Sequence, residues 1–427
     1  MKHLIVGAGA AGISAAHRIL KEKPNDEIII VSEDTEVYSR CMLHRFISGE
    51  RDAKGINFIN DDLLERKNVR WIKGKTLTRL DADSKTVYAG DEKVASGDTI
   101  LIATGANSVT PPIGDLRTAK NAFGLRHLSD ARSIAASAKN AEKVAIIGAG
   151  LVGLDACYAL LELGKNGLTS PHGLTSPHGL TSPQITVIEM APSALAINVD
   201  AHAAEAYQKK FEEKGVTFLL ARKVVGTKSD GKGNITAVEL DGGDSVPCDL
   251  VVMAVGVRPA IAFLEGSGIK TERGVVVDDY LAANVPGIYA AGDAAGLSGI
   301  WPNAQKQGEY AAYNMTGTKW AYDDRFAIKN TVNFFGLLTL SVGAINPQEG
   351  DEVLVKEDRD NYRKLILRDG AAAGVILQGE IGGSGFWQHL IKNKIRIDKL
   401  GKSPWKVSYA DFFGMENNGE YKWVAKE

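Results

Sequence analysis

The sequence predicts an α/β chain with a separate α+β unit at its C-terminal end, and three observations carry that prediction. An apolar strand running into Gly-x-Gly-x-x-Gly and then a helix occurs twice, at Gly7–Gly12 and Gly148–Gly153. Each copy is followed by a second apolar strand that ends on a glutamate, Glu33 or Glu189. Strands that read as late members of the same sheets lie far downstream, at 98–106, 249–259 and 288–295. Together these imply two interleaved Rossmann-like dinucleotide-binding domains, the second inserted into the first. At 427 residues the chain has room for about three domains.

Composition closes several other routes. Hydrophobic residues at 44% and charged residues at 24% supply ordinary buried cores. Fifty basic residues against 52 acidic ones leave a net charge of −2, so no global field draws the chain to nucleic acid. Three cysteines, Cys41, Cys157 and Cys248, exclude a disulfide framework and any four-cysteine metal or iron–sulfur site, and no metal site is expected. No apolar run approaches the roughly 20 residues of a membrane span. A strand beginning near His3 leaves no room for a signal peptide, so a cytoplasmic location is expected.

In the first copy, Leu4-Ile5-Val6 is the strand, Ile13 to Lys21 has helical patterning, and Glu27 to Ser32 is a buried strand. The first glycine makes the tight turn, the second admits a pyrophosphate, and the third lets helix and strand pack closely. The helix N-terminus offers free N–H groups to phosphate. Glu33 is placed to accept hydrogen bonds from an adenosine ribose.

The second copy repeats the design with Lys143 to Ile147, a helix from Leu154 to Leu163, and a strand from Ile185 to Ile188. Its glycine-to-acid interval is 41 residues against 26 in the first copy. Three hexapeptides, GLTSPH, GLTSPH and GLTSPQ at 167–184, account for 18 of these. Their Gly, Ser and Pro content predicts an irregular loop at the sheet end opposite the nucleotide crevice. It is either a passive expansion or a docking segment. Beyond about residue 325 alternating strands with turns follow, such as Tyr362–Leu367, Asp369-Gly370 and Gly374–Gln378, reading as a separate antiparallel α+β domain.

The ordered set GAGAAG, ATGA, GAGLVG, AVGVRP and YAAGDAA resembles the FAD-dependent pyridine nucleotide–disulfide oxidoreductase superfamily over nearly the whole chain. The resemblance implies an FAD-binding domain in two parts, 1–110 and 257–325, and an inserted NAD-binding domain at 111–256. Residues 326–427 then form a C-terminal interface domain. It assigns Gly7, Gly9, Ala10, Ala11, Gly12, Glu33, Arg40, Leu77, Ala103, Thr104, Gly105, Gly292 and Asp293 to FAD, with Asp293 on the ribityl chain. It assigns Gly148, Gly150, Leu151, Val152, Gly153, Glu189 and Gly256 to NAD(H). The C-x-x-x-x-C pair and the C-terminal His-Pro-x-x-x-x-Glu element of the family's dithiol reductases are absent. Dithiol exchange, which needs two thiols and a proton donor, is therefore not expected.

FAD carries the hard chemistry in such a protein, and hydride transfer needs nicotinamide C4 within roughly 3–3.5 Å of flavin N5. The resemblance directs the helix opening at Trp301-Pro302-Asn303 to the pyrimidine side of the flavin, where its partial positive charge would stabilise the reduced ring. Glu189 suits a ribose diol and repels a 2′-phosphate, and Met190 to Ala194 contains no Arg or Lys, so NAD(H) is expected over NADP(H). Asp155 reads equally as a surface-helix residue or a nicotinamide contact.

No catalytic side chain is identified beyond one candidate, Cys41, which is a buried thiol, a redox centre or a flavin-tuning group. The first functional expectation is NAD(H) oxidoreduction with an iron–sulfur protein, or the catalytic subunit of a redox complex, as partner. It resembles NADH:rubredoxin and ferredoxin reductases, and the flavin subunits of phenylglyoxylate dehydrogenase and tungsten aldehyde oxidoreductase. The alternative is a self-contained NADH oxidase, peroxidase or coenzyme A-disulfide reductase using Cys41. A non-enzymatic flavoprotein sensor or scaffold is a third class. Self-association into a homo-oligomer stays open. Phe386-Trp387, Trp405, Tyr409, Phe412-Phe413, Tyr421 and Trp423 crowd the C-terminal end, as core or as interface anchors.

Overall fold

A computed structural model describes residues 1–59, 61–166, 183–324 and 329–423. Residues 167–182 of the hexapeptide repeats lie outside the described residues, and the last repeat residue, Gln184, belongs to a strand rather than to the expected loop. Helix Leu151–Asn166 leads toward them and strand Gln184–Ile188 leads away.

The outer sheet has five parallel strands in the order 288–290, 99–102, 2–6, 27–31, 69–72. Its strands are near-continuous apolar runs such as EIIIV and TILI because both faces are buried, one under helices and the other under a three-stranded sheet that contributes Leu80, Val87 and Ala95. Helix Ala10–Glu22 follows the first strand and packs along helix Trp301–Met315. Gly308 makes that approach possible, since a Cβ there would sit 2.1 Å from the Ala11 carbonyl oxygen.

The inner sheet repeats the plan, with parallel strands ordered 217–219, 184–188, 143–147, 250–253, 122–124. The chain passes between the two sheets twice. These passages, Ala106–Ser108 and Val257–Pro259, are hydrogen-bonded to each other as an antiparallel pair. The interleaving expected from sequence is thus built around a two-stranded ribbon.

The C-terminal unit is an antiparallel sheet ordered 329–334, 337–343, 371–378, 362–368, 352–357, with helix Ser384–Lys392 packed on it. Asp369 and Gly370, both at positive φ, form the tight hairpin turn between strands 362–368 and 371–378. This sheet docks on the inserted fold. Val332, Phe334, Tyr362 and Ile376 join one core with Tyr207, Phe211 and Leu160. The buried Tyr207 hydroxyl meets the Val332 and Leu337 carbonyls at 3.0 Å and Thr339 Oγ1 at 2.7 Å. Asp200, which caps helix Ala201–Glu212, accepts from Tyr362 Oη at 2.7 Å and Lys364 Nζ at 2.9 Å. A buried lysine and carboxylate are tolerated there because each finds partners.

Candidate active site between the two glycine folds

The two fingerprints have the same backbone geometry. Gly7 and Gly148 sit at φ +112° and +105°, where an added Cβ would lie 2.2 Å and 2.5 Å from the carbonyls of Ala103 and Ala254. Gly12 and Gly153 pack even closer, 1.9 Å from the carbonyls of Gly7 and Gly148. Only the middle glycines, Gly9 and Gly150, face open space. Turn and packing glycines are therefore distinct from the glycine left free for a ligand.

A cavity of about 1220 Å³ opens in front of the first fingerprint. It exceeds the roughly 300–1,000 Å³ of ordinary small-molecule sites, as a site for an extended cofactor requires. Gly7, Gly9, Ala10, Ala11, Glu33, Arg40, Leu77, Ala103, Thr104, Gly105, Gly292 and Asp293 all line it. Gly12 does not, because it is spent on contact with Gly7. Of the second set, only Leu151 and Val152 reach the cavity. Glu189 turns back instead, accepting from the backbone N–H of Ala149 at 2.7 Å and of Ala191 at 2.8 Å. Gly256 takes φ +111° beside the returning passage, whose residues Arg258 to Phe263 form another wall.

Three features fit FAD. Gly9 presents no side chain at the uncapped start of helix Ala10–Glu22, leaving N–H groups for phosphate. The Thr104 hydroxyl is buried at the wall without a hydrogen-bond partner. Trp301 and Ala304, from the first turn of helix Trp301–Met315, bring another uncapped N-terminus to the cavity. Pro302 in that turn suits a position whose N–H has no helical partner.

The structure adds groups that no motif announced. Arg126 pairs with Asp293, and its Nε donates to the Ala106 carbonyl at 3.0 Å. Asp293 therefore meets the cavity already engaged by a guanidinium. Burial lowers the Arg126 pKa, and Asp293 works against that loss. Asp130 holds the segment by accepting the N–H groups of Arg126 and His127 at 2.9 and 2.8 Å. Arg40 donates to the Arg126 carbonyl at 2.7 Å and to Asp34 at 3.2 Å. Burial would raise the Asp34 carboxyl, yet His127, Arg40 and Tyr38 together hold it below the usual carboxylate range. Arg126 lies 86 residues from Arg40 and 167 from Asp293, so only the fold joins them.

Cys41 and Asp155 share the cavity wall. Burial pushes the Cys41 thiol up, and Asp155 adds to the rise while Arg126 opposes it. Burial lifts Asp155 to about 7, with Arg45 pulling the other way. Its side chain keeps 33% of its surface open, but that surface faces the cavity rather than the outer face of the helix. The surface-helix reading of Asp155 is thereby corrected. His44 Nδ1 lies 3.9 Å from Asp155, but burial drops His44 to about 4, so at neutral pH the two are not an ion pair. Cys157 and Cys248 are buried in cores. Among the described residues no cluster of His, Cys, Asp and Glu could hold a metal, and no helix is long and apolar enough to cross a membrane.

Two nucleotide folds facing one cavity define a class, the FAD- and NAD(H)-binding oxidoreductases. Residues 1–308 match the pyridine nucleotide-disulphide oxidoreductase family, and the chain belongs to it. Residues 329–395 match the rubredoxin NAD+ reductase C-terminal domain. The chain is 28% identical over 407 residues to a nitrite reductase [NAD(P)H] of Bacillus subtilis, covering 93% of this chain and 48% of that protein. It thus spans about half the length of the first curated relatives it matches. The NADH-dependent phenylglyoxylate dehydrogenase subunit epsilon of Aromatoleum evansii is 27% identical over 413 residues, 93% of each chain. A ferredoxin reductase for the CYP199A2 system from Rhodopseudomonas palustris shares the fold, with TM-score 0.80 and 20% identity over 95% of this chain and 98% of that one.

Proposed function

We propose that the chain passes electrons between NAD(H) and an iron–sulfur protein through FAD, as the flavin component of a larger cytoplasmic redox system. FAD, when bound, accepts two electrons as hydride and releases them one at a time. The protein supplies the cradle: Gly9, Thr104 and Glu33 for the dinucleotide, and Arg126 with Asp293 at the ribityl chain. We assign Gly148, Gly150, Gly153, Glu189 and Gly256 to NAD(H), and residues 1–110 with 257–325, 111–256 and 326–427 to the FAD, NAD and interface domains.

The single observation that carries this reading is the character of Cys41. It is the one thiol on the cavity wall among the described residues, and its raised pKa keeps it a thiol rather than a reactive thiolate at neutral pH. With no second thiol beside it, reducing equivalents have no protein store and must leave from the flavin. Several relatives carry names that point the same way, a probable ferredoxin reductase and an NADH-rubredoxin oxidoreductase among them, while an NADH oxidase of Methanocaldococcus jannaschii points to the alternative. One observation favours the second reading, a Cys41-dependent oxidase or disulfide reductase: the residue is exposed toward the cavity. Cys41→Ser decides between them. NADH-driven reduction of a rubredoxin or one-electron dye should survive the change, with oxygen and coenzyme A disulfide poor substrates throughout. Strong disulfide or peroxide turnover that disappears in Cys41→Ser would transfer the case to the second reading. FAD that binds but is not reduced by NADH would favour a sensor.

A further inference from the structure

The C-terminal unit carries one strongly basic, exposed segment. Between Lys392 and Lys406 stand six cations, Lys392, Lys394, Arg396, Lys399, Lys402 and Lys406, against one acid, Asp398. That segment is +5 in a chain whose total is −2, so everything else sums to −7. All six cations are exposed. Lys392, Arg396 and Lys402 pair with Asp324, Asp398 and Asp411. Lys394, Lys399 and Lys406 have no ion pair among the described residues, so their charge is not locally neutralised.

Apolar anchors stand beside these charges. Phe386, Trp387 and Phe412 are buried and account for the core share of the C-terminal aromatics. Tyr409, Phe413 and Met415 are different, with 46%, 45% and 70% of their surface exposed. The Lys402–Asp411 pair ties the basic segment to the turn between Tyr409 and Phe413, so charge and apolar surface form one face. Exposed aromatic anchors within a polar, charged rim are the anatomy of a protein-binding surface.

The face also adjoins the cavity. Lys392 and Lys306 converge on Asp324 at 2.8 and 2.6 Å. Lys306 lies on helix Trp301–Met315, five residues beyond the Trp301 that lines the cavity, which is about 7.5 Å of helix.

We infer that this face docks a compact acidic iron–sulfur protein beside the flavin edge. The inference rests on the electron-transfer reading above and gives it a place and a charge sign. A long polyanion fits less well, because outside this segment the chain is net negative. A small acidic domain meets the patch alone and is steered to it by long-range attraction.

The test uses the full chain with FAD bound, and the triple charge reversal Lys394→Glu/Lys399→Glu/Lys406→Glu. An acidic rubredoxin and an acidic [2Fe–2S] ferredoxin serve as acceptors, with an uncharged quinone as control. The unaltered protein should reduce at least one of the two iron–sulfur proteins, with a rate that falls as salt rises. The variant should raise the KM for that acceptor at least tenfold and flatten the salt dependence. Its flavin reduction by NADH and its quinone turnover should not change. An unchanged KM and salt response would overturn the docking face while leaving the electron-transfer reading intact. Failure of the unaltered protein to reduce either iron–sulfur protein would overturn both. Retention of single-stranded RNA by the unaltered protein, lost in the variant without any effect on iron–sulfur reduction, would give the face to nucleic acid instead.

Discussion

The two glycine fingerprints share the φ of their first glycine and the same close backbone approaches, yet they differ in surroundings. Around the first, the segment at residues 40–45, Arg126, Asp293 and the start of helix Trp301–Met315 arrive from four places in the chain to wall a deep cavity. The second presents Leu151, Val152 and Asp155 to the same space, while its terminal acid folds back on its own loop. A motif therefore specifies a turn able to receive a phosphate. What lies opposite decides whether the ligand is enclosed and resident or bound at an open edge and exchanged. That difference suits a prosthetic flavin and a diffusing nicotinamide.

The largest test separates packing glycines from ligand-facing ones. Gly12→Ala places a Cβ 1.9 Å from backbone, and the outer fold has no flexible side chain there to yield. Loss of soluble, flavin-loaded protein is expected, read by expression and absorbance. Gly9→Ala meets nothing within 4 Å, so the fold should persist while FAD affinity drops at least tenfold. Gly150→Ala should instead keep FAD and raise the KM for NADH. If Gly9→Ala and Gly150→Ala behave alike, the contrast between the two copies fails.

Asp293→Ala probes the enclosed side. It strands Arg126, whose side chain is only 20% exposed, at a cost on the order of 2 kcal/mol. A lower melting temperature and faster FAD loss on gel filtration are expected, with NADH affinity of the protein that retains flavin unchanged. Glu189→Arg probes the open side. The preference for NADH over NADPH should fall about tenfold, equivalent to about 1.4 kcal/mol, in stopped-flow reduction. FAD retention should not change.

The smallest effect concerns Asp155, where the two sides meet. Its carboxyl is raised from 3.8 to about 7, so the folded protein binds a proton there that the unfolded chain releases. This contribution to stability is complete below about pH 4 and is lost as pH rises through 7. Asp155→Asn should therefore raise the melting temperature at pH 8 and leave it nearly unchanged at pH 4.5. Equal effects at both values would mean that the carboxyl titrates normally.

Sequence patterns made the architecture legible because each element there is local. A strand, a glycine turn, a helix and an acid lie within a few tens of residues, and the late strands carry their own apolar signature. The cavity-lining members of the first set were named through the ordered family motifs that the chain resembles, since Arg40, Leu77 and Asp293 lie far from the first fingerprint in sequence. Arg126 was not, since a single arginine ahead of a helix carries no periodicity, and its partners Arg40 and Asp293 come from distant segments. Asp155 was visible but ambiguous. Its helix has a solvent side in any isolated Rossmann fold, and only the neighbouring domain turns that side into a cavity wall. The C-terminal aromatics were likewise visible as a group, whereas their division into buried Phe412 and exposed Phe413 depends on a single turn of chain.

The ribbon formed by Ala106–Ser108 and Val257–Pro259 bears on how such a chain can assemble. The last strand of the outer sheet, 288–290, must lie beside 99–102 although the entire second fold is made between them. Unconstrained, that junction would be a long loop closure, opposed by chain entropy. Once the ribbon zips, Asn107 faces Arg258 across an ordinary strand spacing of about 5 Å, and the intervening fold becomes a closed appendix to the backbone. From that moment the outer sheet needs to bridge only the stretch from 259 to 288. The insertion carries its own splice, and the molecule can complete its outer sheet almost as though the inserted fold were absent.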